Sequence, residues 1–144
     1  MKSSFTLCLL LVLTSYSFAQ KNGYNSNSGT AIGGYDPVAY FTEHEAMLGS
    51  DQFTTEWSGS KWKFINQADL NLFKATPTKY APQYGGYCAY GCSANHKAPI
   101  DPTAWTIIND KLYLNYNAQV KKMWINDTTN RIKAANAYWS SLNN

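Results

Sequence analysis

DQFTTEWSGSKWKFIN, residues 51–66, decides the fold class. Phe53 and Trp57, then Trp62 and Phe64, place bulky side chains at alternating positions on either side of Ser58-Gly59-Ser60, the pattern of two strands joined by a tight turn. A second stretch repeats the layout, with AWTII (104–108) and KLYLNYN (111–117) flanking Asn109-Asp110 and with Leu112, Leu114 and Tyr116 expected on one face. Between these hairpins, NQADLNLFKATPTKY (66–80) opens on Asn66 as an expected helix cap, carries Leu70 and Phe73 three apart, and reaches Pro77, where the helix should end. A further short helix is expected from about Tyr87 to Ala94. Upstream, Asp36 should cap a short helix that starts at Pro37 and carries Val38, Tyr40 and Phe41. The chain closes with an amphipathic helix from about Ala118 to Leu142, with Val120, Met123, Trp124, Ile132, Ala135 and Trp139 at helical spacing and an expected break at Asp127-Thr128-Thr129. Hairpin, helices, hairpin, helix is the order of a small single-domain α+β protein, two β-hairpins packed against short helices and a C-terminal amphipathic helix.

The first nineteen residues run from Lys2 through an apolar core at Phe5–Val12 to Ser17-Phe18-Ala19, the layout of a cleaved secretory signal. The apolar run is too short for a membrane helix, and Cys8 lies inside it rather than at the cleavage point, where a lipid anchor would need it. The expected product is a secreted or periplasmic chain beginning at Gln20, with no membrane span after cleavage. QKNGYNSNSGTAIGG (20–34) is rich in Gly, Ser and Asn, so residues 20–33 read as a flexible leader and residues 34–144 as the domain. The whole chain carries a formal charge of +3, and removing the signal takes one lysine and no acid, leaving +2. No basic cluster exceeds the pair Lys121-Lys122, so nothing points to nucleic acid as a partner. A serine-nucleophile motif, a phosphate-binding glycine loop and a His-Glu-x-x-His motif are all missing from the sequence.

The chemistry-bearing stretch is GGYCAYGCSANH, residues 85–96, where Cys88, Cys92 and His96 stand four apart, twice over. On a helix, Cys88 with Cys92, or Cys92 with His96, could clasp one ion, thiolate and imidazole favouring copper or zinc. All three together could not easily do so, because Cys88 and His96 would lie about 12 Å apart along the axis. His44, Asp36, Asp101 and tyrosine hydroxyls are candidates to complete such a site. An oxidising compartment permits a disulfide, but an intact helical pair holds its Cβ atoms farther apart than a disulfide needs. A thiol-dependent redox enzyme using Cys88 or Cys92 would need a low-pKa cysteine, and the spacing is Cys-x-x-x-Cys rather than Cys-x-x-Cys. The fourth reading is packing, with both cysteines as small buried apolar groups.

Aromatic residues make up 15% of the chain, enough to line a pocket as well as fill a core. Tyr35, Tyr40, Tyr84, Tyr87, Tyr90, Trp105 and Tyr116 cluster in the Gly-containing segments and, with Asp36, form the candidate ligand pocket, an apolar floor with a hydroxyl rim near Cys88.

GYDPVAYF, EWSGSKWKF, LFKATPTKYAPQYGGYCAYG and DPTAWTIINDKLYLNYN together resemble the secreted, single-domain branch of the YHS domain family, over about residues 34–140. The resemblance implies metal binding, with copper as the proposed ion, through cysteines. The metal-suspected branch has a cysteine after its Asp-Pro-Val turn and two more after the phenylalanine that ends the hairpin, and those positions are held here by Ala39, Ile65 and Asp69. Cys88 is the one family-like cysteine. The expectation is a secreted or periplasmic YHS-like binding module for a transition metal, copper or zinc, at Cys88, Cys92 and His96, or for a small ligand. A thiol enzyme and a ligand-free structural or interaction domain are the alternatives.

Overall fold

The computed structural model describes residues 24–27 and 29–144, so the expected signal peptide lies outside the described residues. The described residues fold as a small α+β domain of fourteen elements. Strands β1 (Ser26–Asn27) and β2 (Thr30–Ala31) lead through a 3-10 turn, Ile32–Gly34, to α1 (Ala39–Thr42). The hairpin β3 (Ser50–Trp57) and β4 (Ser60–Phe64) follows, then α2 (Gln67–Ala75), α3 (Pro77–Tyr80) and a second 3-10 turn, Tyr84–Gly86. Helix α4 (Ala89–Ser93), the hairpin β5 (Asp101–Ile108) and β6 (Lys111–Asn115), and helices α5 (Ala118–Ile125) and α6 (Thr128–Leu142) complete the chain.

Both hairpins turn on two residues in the left-handed region, which matches the right-handed twist of the flanking strands. Ser58 and Gly59 have φ of 50° and 75°, and Asn109 and Asp110 have φ of 51° and 58°. Ser60, expected in the first turn, is instead the first residue of β4 and pairs with Trp57. The first sheet has the order β1-β2-β4-β3, and the second is the β5-β6 pair.

Strand β6 divides the core. Leu112 and Leu114 on one face join a cluster with Val38, Tyr40, Trp62, Phe64 and Phe73. Tyr113 on the other face joins Tyr84, Ala89, Cys92, Trp124 and Ala135. Burial on both faces explains why the expected single apolar face of this strand was too simple. Tyr116, expected beside the two leucines, lies beyond the strand end and is exposed.

The helix signals are local and hold. Asn66 Oδ1 accepts the Asp69 amide at 2.8 Å, and Asn117 Oδ1 accepts the Val120 amide at 2.8 Å, each satisfying a donor that a helix start leaves free. Pro77 ends α2 and also opens α3, its fixed φ and missing N–H being tolerated at a first helical position. The C-terminal helix breaks between Ile125 and Thr128.

The leader departs from expectation, because from Tyr24 onward it is part of the fold. The Tyr24 ring lies 4.9 Å from Trp62 and 5.4 Å from Trp57. The Asn25 amide donates to Gly85 O at 2.6 Å, and Ala31 and Ile32 are buried in the first cluster. A polar composition concealed this, since the segment is held by backbone pairing and three apolar side chains rather than by a periodic stripe.

Candidate functional site

The second 3-10 turn carries Tyr84, Gly85 and Gly86 at φ of 55°, 59° and 74°, which delays helix α4 until after Cys88. Cys88 is therefore the N-cap rather than a helical residue, and its Sγ accepts the Gly91 amide at 3.4 Å. The thiol in turn faces Asn115 Oδ1 at 3.7 Å, and the same oxygen accepts the Tyr90 amide at 3.1 Å. Asn115 is fully buried, and sequence reasoning missed it because a lone polar residue near a strand end resembles an outward-facing one.

Helix α4 ends in a Schellman pair: the His96 amide donates to Gly91 O at 3.1 Å and the Asn95 amide to Cys92 O at 3.1 Å, with Asn95 in the left-handed region at φ 61°. This reversal lays the His96 ring over Gly91, where a Cβ would meet Nε2 at 3.4 Å. His96 stays exposed, whereas Cys92 points into the second cluster at 0% exposure. Burial, reinforced by Cys88 nearby and partly offset by Lys97, pushes the Cys92 thiol up to about 12. At neutral pH it is a thiol, which is neither a nucleophile nor a ligand. Both cysteines are free and buried. Among the described residues no three His, Cys, Asp or Glu side chains gather as a metal set, so a four-coordinate centre does not fit the donors present.

The expected pocket residues divide between two regions, with Tyr35, Tyr40 and Trp105 on the first cluster and Tyr84, Tyr87 and Tyr90 on the second. Tyr40 is fully buried, stacks edge-on against Trp105 at 5.4 Å and donates its hydroxyl to Pro102 O at 2.9 Å. Tyr35 packs half-buried on the first cluster. Tyr87 lies under the Lys97 ammonium at 4.9 Å. Tyr90 is covered by the Arg131 guanidinium, 3.9 Å above its ring. Arg131 also donates to the Tyr90 hydroxyl at 3.2 Å and to Ser93 Oγ at 3.3 Å, clamping α6 onto α4. Tyr116 is 52% exposed.

Two surface grooves bear on ligand binding. One, of about 260 Å³, is lined by Tyr24, Ser58, Pro82, Gln83, Tyr84, Gly85, Trp139 and Asn143, drawn from four separated parts of the chain. Gly85 passes so close to Trp139 that a Cβ would meet the indole at 3.2 Å, and the Tyr84 hydroxyl is fixed by Asn136 at 2.9 Å. The other, of about 450 Å³, runs along Trp105, Thr106, Ile107 and Ile108 of β5 beneath Lys121, Ile125 and Thr128. Of the expected set, Tyr84 lines the first groove and Trp105 the second.

A third constellation lies inside the first core. Asp36 is fully buried, and its Oδ1 accepts the Val38 amide at 2.7 Å and the Ala39 amide at 3.3 Å. Its Oδ2 accepts the Ile65 amide at 2.8 Å. Asp36 is thus not the cap of a helix starting at Pro37, since α1 begins at Ala39 with Val38 as its N-cap; the carboxylate instead closes the turn before α1 and ties it to the end of β4. Asp69 of α2, 5% exposed, lies beside the Asp36 carboxyl and, after burial, helps to raise its pKa. Ala39, Ile65 and Asp69 thus all converge on Asp36.

Compared with protein-family models, with curated proteins and with solved structures, the chain matches none of them.

Proposed function

We propose that this chain is a secreted or periplasmic YHS-like binding module that takes a small, uncharged organic ligand in the groove beside Gly85. The observation that carries this reading is the composition of that groove: Tyr24, Tyr84 and Trp139 supply aromatic surface, Gln83 and Asn143 supply amides, and no lining residue is charged. Aromatic walls with a few convergent polar groups are the usual make-up of a small-molecule site. The larger groove on β5 is more apolar and opens widely to solvent, and it offers fewer polar groups to orient a ligand. Tyr84 and Gly85 fall within LFKATPTKYAPQYGGYCAYG, one of the stretches that resembles the family, and the convergence of Ala39, Ile65 and Asp69 on Asp36 supports the same resemblance.

A metal at Cys88 and Cys92 is the second reading. It is favoured by their position one turn apart, with the Cys92 amide bonded to Cys88 O at 2.9 Å. Two thiolates suit a soft monovalent ion such as copper(I) without a third ligand, provided both lose their protons.

Native mass spectrometry of the protein, exported to a periplasm and purified without chelator, tests both readings. The expected result is an organic increment that is lost on denaturation and is missing from Trp139→Ala. A metal-sized increment that disappears in Cys92→Ala would favour the thiol site instead. A bare native mass would leave the ligand-free interaction domain as the better account.

A further inference from the structure

Two carboxyl groups buried side by side do not both hold their charge readily unless a cation pairs with them, and among the described residues no lysine, arginine or histidine pairs with either. The ion pairs formed by lysine, arginine or histidine among the described residues are Lys61 and Lys63 with Asp51, on the outer edge of the first sheet. Asp36 is surrounded instead by three backbone N–H donors and by Asp69. Asp69 Oδ2 is buried and receives no N–H or O–H from any other described residue. The remaining titratable groups facing the pair are neutral or engaged elsewhere. Tyr40 of α1 donates to Pro102 O, and Tyr35 packs on the core. Lys63 of β4 lies 2.9 Å from Asp51, and Asp101 of β5 accepts the amide and hydroxyl of Thr103.

We propose that Asp36 and Asp69 share one proton, and that this proton is a pH-sensitive latch joining α1, the end of β4 and α2. With the proton present the pair is a single negative charge, which the amides of Val38, Ala39 and Ile65 neutralise. When the proton leaves to solvent, two like charges face each other away from water, and the junction between the segment before α1 and the start of α2 loosens. Burial, reinforced by Asp69 and opposed by the Ile65 and Val38 amides, raises Asp36 to about 7, so the latch sits at the midpoint of the neutral range. The sign follows from linkage. The folded state holds the proton more tightly than the unfolded chain, so the pair's stabilisation is complete in acid and is lost as pH rises from about 4 through about 7.

The test is denaturation of the full chain between pH 5 and pH 8, beside an Asp69→Asn variant whose amide can donate permanently to Asp36. The wild type should lose about 10 °C in Tm across that range. Asp69→Asn should be nearly flat and should be the more stable protein at pH 8. Equal slopes for the two proteins would overturn the proposal. Should Asp69→Asn fail to fold, the carboxyl carbons of wild-type aspartates, followed by NMR, decide the matter. A shared-proton pair gives one buried carboxyl titrating near neutrality, whereas all aspartates titrating below about pH 5 would overturn it.

Discussion

Each half of the core buries a polar cluster, and the two clusters differ in what they can lose. Asp36 and Asp69, in the half built on the first sheet, carry a charge that burial disfavours but that three amides stabilise. Cys88, Cys92 and Asn115, in the half built on α4 and β6, are buried, and burial pushes the Cys92 thiol up to about 12. The cysteines look like the reactive groups in the sequence, yet their surroundings quench them. Asp36 looks like a turn residue, yet burial beside Asp69 pushes its carboxyl up to about 7. Residue type sets which reactions are available, and desolvation decides which occur at a given pH.

The largest effect that would break this contrast is at Asp36. Asp36→Ala leaves three buried amides without their acceptor and should cost about 3–5 kcal/mol in urea denaturation. A loss below about 1 kcal/mol would mean that water reaches the site and that the two clusters are alike. Next comes Cys92→Ser, which puts a stronger hydrogen-bonding group among Tyr84, Tyr113 and Trp124 and should cost about 1–3 kcal/mol. Cys92→Ala should cost less. Native-state alkylation sharpens the same point, because both thiols should react only at the rate of unfolding, and a fast phase at pH 7 would show an accessible thiolate. Arg131→Lys keeps the charge but loses the guanidinium face over Tyr90 and the fork to Ser93, for about 0.5–1 kcal/mol in the same denaturation. Asp51→Ala is the control. Its bridges to Lys61 and Lys63 are exposed and screened, so Tm should not move measurably.

The parts of this fold that sequence revealed are those fixed within a few residues. Ser58-Gly59 and Asn109-Asp110 set both hairpins, Asn66 caps α2, and the break near Asp127 follows from the loss of apolar spacing. The candidate site was legible only in pieces. Cys88 and Cys92 do pack one turn apart, but His96 is carried over Gly91 by the helix end, which spacing on an ideal helix could not foresee. The pocket candidates share Gly-containing segments of the sequence, and the fold divides most of them between the two halves of the core. Asp36 and Asp69 meet across thirty-three positions of sequence, and Tyr24 meets Trp139 across a groove whose walls come from both ends of the domain. Such meetings depend on how β6 divides the core, and no local pattern encodes that.

The Asn25–Gly85 hydrogen bond joins residues sixty positions apart, and Tyr24 rests on Trp57 and Trp62 of the first hairpin. A chain that emerges from its amino end therefore presents this strap long before its anchors exist. Contacts of long sequence separation close late, because the intervening loop must first be ordered. During synthesis or export the segment stays without its partners until Gly85 and the first hairpin are in place, so the earliest described residues to appear are among the last to settle.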